Sequence, residues 1–101
     1  MKKLEKEFKF RNNTYVQLEE GNNYYLYGVW NLKDEAIGKP SYYEIFKKKV
    51  AKAVILKGID YPTREVYPND DDFGSTAWCC RTIEEVDYIK QVKNAVLGVT
   101  V

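Results

Sequence analysis

A chain of 101 residues with 45% hydrophobic and 31% charged content is long enough for one domain and too apolar for disorder. Sixteen Lys and Arg against fifteen Asp and Glu leave a net charge of +1, which argues against the uniformly basic field of a dedicated nucleic-acid binder. Histidine is absent, and with it the commonest general base and the commonest zinc ligand.

The opening residues, Met1-Lys2-Lys3-Leu4-Glu5-Lys6-Glu7, carry no apolar run behind the lysines, so no secretory signal is expected. No window approaches the roughly 18 apolar residues of a membrane-spanning helix. Asn12-Asn13-Thr14 matches the glycosylation sequon, which has no role in a chain that is not exported. Phe8 to Arg11 alternates apolar and charged residues, Asn12-Asn13 interrupts, and Thr14 to Glu19 alternates again. Phase places Val16 and Leu18 on one face, Tyr15 and Gln17 on the other. Gly21-Asn22-Asn23 signals a hairpin turn.

The clearest strand runs from Asn23 to Asn31. Tyr24, Leu26, Gly28 and Trp30 share one face; Tyr25, Tyr27, Val29 and Asn31 share the other. Both faces are largely apolar, so this strand is central. Asp34 to Ser41, with Gly38 and Pro40, reads as a loop.

Residues 42–57 leave two readings open. Ser41-Tyr42-Tyr43-Glu44 fits a capping box, Gly58 stands where a helix C-cap would fall, and Tyr42, Tyr43, Phe46, Val50, Ala53 and Val54 share one helical arc. Against this, Ile45, Ile55 and Leu56 fall outside that arc, and Tyr42 to Phe46 is rich in strand formers. Pro62 and Pro68 forbid a helix between Ile59 and Asn69, so Thr63 to Tyr67 is extended, at an edge.

Asp70-Asp71-Asp72-Phe73-Gly74 reads as a turn, and Thr76 to Arg81 as a short strand. Cys79 and Cys80 then point to opposite faces, one inward and one outward, and are expected reduced, which fits a cytoplasmic location. Thr82-Ile83-Glu84-Glu85 forms a capping box. The helix that follows carries Ile83, Val86, Ile89, Val92 and Val96 at spacings of three and four, has lysines late in its course, and ends at Gly98.

The order of Tyr43-Glu44-Ile45-Phe46-Lys47, Gly58, Glu65, Pro68 to Gly74, Ala77-Trp78 and the Thr82 helix resembles small uncharacterised proteins of gut-bacterial phages and mobile elements. The resemblance covers residues 43 to 90 and implies a strand over 42–50. Phe73 stands where that pattern has tryptophan. It implies no known activity and no catalytic residues.

The chemistry-bearing motifs are thin. Asp72-Phe73-Gly74 spells the kinase magnesium motif without the phosphate loop, the catalytic-loop aspartate or the length of a kinase. Asn69 to Asp72 offers oxygen ligands, but as a calcium loop it would place Phe73 and Cys80 where carboxylates are required, so a solvated turn is expected. Lys47, Lys48 and Lys49, with Lys52, form a basic cluster that could contact phosphates.

These elements predict an α+β fold: a single domain with an antiparallel β-meander of four to five strands, packed on one face by a C-terminal helix. Trp78, Phe46, Leu26, Val86 and Ile89 are the expected core. One helix covers one face of a sheet, so the other needs the Lys2 to Phe10 segment, loops, or a second molecule. Tyr25, Tyr27, Trp30 and Tyr43 are therefore the expected protein-binding or self-association residues. The expected function is a small cytoplasmic protein-binding domain, not an enzyme, without cofactor or metal, encoded by a phage or mobile element. The alternative is a nucleic-acid-binding accessory protein using Lys47, Lys48, Lys49 and Lys52.

Overall fold

The computed structural model describes residues 1–31 and 38–99; the expected Asp34 to Ser41 loop falls outside them as far as residue 37. Alternation of aromatic and branched residues produces β1 (Glu7–Phe10), β2 (Asn13–Glu20), β3 (Tyr24–Trp30) and β4 (Tyr42–Lys47), joined as an antiparallel meander. The register shifts between Gln17 and Glu19, and Leu18 is left 45% exposed. The chain then leaves the sheet through β5 (Lys49–Ala51), β6 (Val54–Leu56), β7 (Ile59–Tyr61) and β8 (Arg64–Val66). It passes a 3₁₀ turn at Asp70–Asp72 and returns as β9 (Ala77–Cys80), antiparallel to β4. The sheet order is β1-β2-β3-β4-β9, the expected α+β meander closed by α1 (Ile83–Val92) and α2 (Asn94–Leu97).

Residues 42–57 hold the strands β4, β5 and β6 rather than a helix, and the Ser41 capping box is not used. Tyr42 to Lys47 pairs with β3 on one side and with β9 on the other, so its backbone is satisfied by the sheet. Gly58 is a turn residue rather than a helix cap. Lys57 (φ 51°) and Gly58 (φ 76°) are both left-handed between the paired Leu56 and Ile59, the two-residue hairpin geometry that matches strand twist.

At the C-terminal helix, Thr82 Oγ1 accepts from the Glu85 N–H (3.1 Å) as expected. The Glu85 carboxylate takes the Arg81 N–H (3.0 Å) rather than that of the cap. The helix is not continuous: α1 ends at Lys93 (φ −111°, ψ 20°), and α2 closes on Gly98 in the left-handed region (φ 63°). Val86 and Leu97 are buried, whereas Ile83 and Val92 of the predicted stripe are exposed.

The two sheet faces carry separate cores. Between the helices and the sheet, Val86 of α1 and Leu97 of α2 pack on Tyr24, Leu26, Ile45 and Cys80, with Tyr43, Trp78 and Ile89 half-buried beside them. The reverse face holds Tyr15, Tyr25, Tyr27, Val29, Phe46 and Ala77. Among the described residues no second helix covers it: Leu4 from the N-terminal segment and Tyr67 and Phe73 from the β8–β9 connection pack on it, beside Phe8 of β1.

Candidate functional site

The four residues expected to share a docking surface do not share one. Cross-strand register sets Tyr25 and Tyr27 opposite Phe46 and Glu44 on the aromatic face, whereas Tyr43 lies opposite Gly28 on the helix face. Tyr25 (1%), Tyr27 (0%) and Trp30 (7%) are buried within the chain, and Tyr43 is half-buried against the helix core. The reason is reach. A tyrosine ring fills a thin core while its hydroxyl extends to the rim. Tyr25 donates to Glu65, Tyr24 to Glu19, and Tyr27 to the Glu5 carbonyl (2.7 Å) while accepting from Gln17 Nε2 (3.0 Å). Trp30 Nε1 donates to the Gly38 carbonyl (3.2 Å). Tyr24, Tyr25 and Tyr27 thus build the core as amphipathic rings with their polar ends satisfied, whereas Tyr61 and Tyr88 are exposed.

One part of the aromatic face remains open. Phe8 stacks on Tyr15 (centroids 4.8 Å, planes 5° apart), and Tyr67 stands nearly perpendicular to both, at 5.5 and 5.6 Å. These rings, with Phe73, Pro68 and Asp70, wall a cavity of about 260 Å³ whose lining includes Glu44. Glu44 is 9% exposed and sits in the sheet between Tyr27 and Cys79. Burial pushes its carboxyl above the ordinary carboxylate range, and the Tyr67 hydroxyl, donating to Glu44 Oε1, opposes that shift. Burial and the Glu44 charge together drive the Tyr67 hydroxyl far above its own usual range. Sequence reasoning missed this site. Glu44 is left open between a capping-box position and a strand position, and Phe8 and Tyr67 lie far apart in the chain from each other.

The basic cluster is divided among partners. Lys48 Nζ pairs with Glu20 (2.7 Å), which also holds Lys3 (2.8 Å), and Lys49 Nζ pairs with Asp72 (2.7 Å). The two lysines, first through their hydrogen bonds, lower the Glu20 carboxyl to about 2. Lys47 and Lys52 are exposed. Asp72 spends its carboxylate on Lys49 and on the Asn69 N–H (3.0 Å). Among the described residues no three His, Cys, Asp or Glu side chains converge to hold a metal ion. Cys79 is exposed and Cys80 buried, both free; burial raises the Cys80 thiol to about 11, far from the thiolate needed for nucleophilic work.

The second candidate surface is the arm formed by β5 to β8. Lys49↔Val66 through Ala51↔Arg64, and Val54↔Tyr61 through Leu56↔Ile59, follow one continuous register. Between them Pro62 supplies no N–H, and the Ala53 N–H turns to Thr63 Oγ1 (3.2 Å). Every residue from Lys52 to Thr63 is exposed. Cross-strand pairing puts Val54, Leu56, Ile59 and Tyr61 on one face of this arm, with Ile55 and Asp60 on the reverse.

The chain is therefore an α+β meander domain with a projecting apolar arm and an aromatic cavity, and no described helix is long and apolar enough to cross a membrane. Comparison with protein-family models, with curated proteins and with solved structures gave no match.

Proposed function

We propose that this is a non-catalytic protein-binding domain that engages its partner through the arm rather than through the tyrosine face. The observation that carries this reading is the arm's apolar face. Val54 (40%), Leu56 (56%), Ile59 (55%) and Tyr61 (37%) lie side by side and stay exposed, with the Arg64 guanidinium 5.7 Å from the Tyr61 ring centroid. Contiguous apolar patches of this kind on a small protein mark interaction sites. Both outer edges of β6 and β7 are also open to strand addition, because each strand pairs only with the other.

The flanking charges select the partner. Lys52 at the base and Lys57 at the tip frame the apolar face, while Asp60 lies on the reverse. The matching partner is an extended apolar segment of another protein flanked by carboxylates. Nucleic-acid binding is less well supported, since Lys48 and Lys49 already spend their charge on Glu20 and Asp72.

The test is a photo-crosslinking residue at Ile59 in the native host, with Leu56→Asp/Ile59→Asp as the control. Crosslinks should map to an apolar, acid-flanked segment of one protein, and the double variant should lose that partner while keeping its thermal midpoint. Equal recovery by the double variant overturns the proposal. So does a concentration-dependent dimer in light scattering that the same variant abolishes, because the occupant is then a second copy.

A further inference from the structure

We infer that the cavity on the aromatic face is a binding site for the head of an alkylated ammonium ion. Three features of the geometry converge on that chemistry. The walls are aromatic: Phe8 and Tyr15 are stacked on one another, which leaves one face of each ring outside the pair, and Tyr67 stands close to perpendicular to both, with Phe73 beside them. Ring faces carry negative potential and attract cations most strongly where water is excluded. A carboxylate is built into the lining: Glu44 is 9% exposed, its Oε1 is held by Tyr67, and its position is set by register between Tyr27 and Cys79. Asp70 adds a second carboxylate at the lining, which includes no Lys or Arg.

Size narrows the class. A volume of about 260 Å³ falls just below the roughly 300 Å³ at which drug-sized sites begin, so it suits a compact head group rather than a large ring system. A simple metal ion would find too few oxygens, and a primary ammonium would leave its strongly hydrated donors facing apolar rings. An ammonium with methyl groups spreads the same charge over an apolar surface, which matches walls of this kind. The cavity opens beside a second groove of about 450 Å³ that includes Arg11, Asn13 and Asn69, giving the rest of such a ligand a polar exit. Phe10, at the shared rim, already holds the Arg11 guanidinium 5.1 Å from its centroid. The cation-binding role therefore falls to the inner rings.

This site is independent of the arm, and its test is independent as well. Choline and its neutral isostere, in which carbon replaces nitrogen, are titrated into the whole chain by calorimetry while ring-proton shifts are followed by NMR. Choline should bind at least about tenfold more tightly than the isostere, the discrimination expected of charge acting on shielded rings. Shifts should concentrate on Phe8, Tyr15, Tyr67 and Phe73. Glu44→Gln should weaken choline about tenfold and leave the isostere unchanged, and Asp70→Asn, on the exposed rim, should weaken choline by a smaller factor. A trimethyl-lysine peptide in a parallel arm separates the sources: tighter binding than choline points to a modified protein tail, equal or weaker binding to a free ion. Equal affinity for choline and its isostere overturns the inference, as does the absence of heat and shifts at tens of millimolar choline. Should Glu44→Gln fail to fold, the comparison of the two ligands on the unaltered chain decides alone.

Discussion

The tyrosine face of the sheet and the arm are both strands of aromatic and branched apolar residues, yet their fates are opposite. Tyr25, Tyr27 and Phe46 are at most 1% exposed, whereas Ile55, Leu56 and Ile59 are more than half exposed. Local composition does not separate them. What separates them is the number of strands and segments that come back over each. The tyrosine face has five paired strands, with Phe8 of β1 among its own residues, and Leu4, Tyr67 and Phe73 above it. The outer part of the arm has two strands, β6 and β7, each paired only with the other, and a two-stranded ribbon by itself is only marginally stable in water. It is anchored at its base: the β5–β8 pairing, the Glu65 N–H to the Lys2 carbonyl (2.8 Å) and the Leu4 N–H to Glu65 Oε1 (3.1 Å) hold it to the body.

The largest effect that could break this contrast lies in the buried face. Phe46→Ala should lower stability by about 3–5 kcal/mol in urea denaturation, through lost burial and the cavity left among Tyr25, Tyr27 and Tyr67. A loss below about 1 kcal/mol would mean that the covering segments are loose and that the two regions are alike.

A smaller effect sharpens the same contrast through pH. Glu44 titrates higher in the folded chain than in the unfolded one, so the fold favours its neutral form. Its contribution to stability is intact below the unfolded carboxylate value of about 4.3 and declines as pH rises through the raised folded value. The stability difference between the native chain and Glu44→Gln should accordingly fall with rising pH over that window. Tyr67→Phe, which removes the hydroxyl donated to Glu44, should steepen that fall and cost about 1–3 kcal/mol near neutral pH. A difference that stays flat with pH would place the carboxylate in water and dissolve the contrast at this point.

The smallest effect is expected where the residues look most hydrophobic. Leu56→Ser and Ile59→Ser should each change the unfolding free energy by less than about 0.5 kcal/mol, because each residue stays more than half exposed in the fold. A loss above 2 kcal/mol would show that the arm is packed in solution and remove the surface on which the proposed function stands.

The meander, the order of its strands as far as Trp30, the Thr82 cap and the Gly98 stop were legible because each is written in local chemistry: alternation, a turn signal, an oxygen at the cap, a residue free to adopt positive φ. The phase of β3 was legible too, since Tyr25, Tyr27 and Val29 do part company with Tyr24 and Leu26. The docking role given to Tyr25, Tyr27, Trp30 and Tyr43 was not sound, because alternation tells which residues share a face and nothing about what covers it.

Periodicity belongs to the single chain segment, so the sequence by itself determined the α+β class, the two-faced central strand and a helix after Thr82. Coverage belongs to segments distant in the chain. Only the tertiary structure decided that Phe8 and Tyr67 meet over Tyr15, that Glu44 lies in the sheet beneath Tyr67 rather than at a helix end, and that residues 52–63 stand clear of the body. The physical reason is that burial is a long-range quantity: a tyrosine and an isoleucine carry the same local preference for a strand wherever they stand, and only the segments that return across them decide whether they leave water.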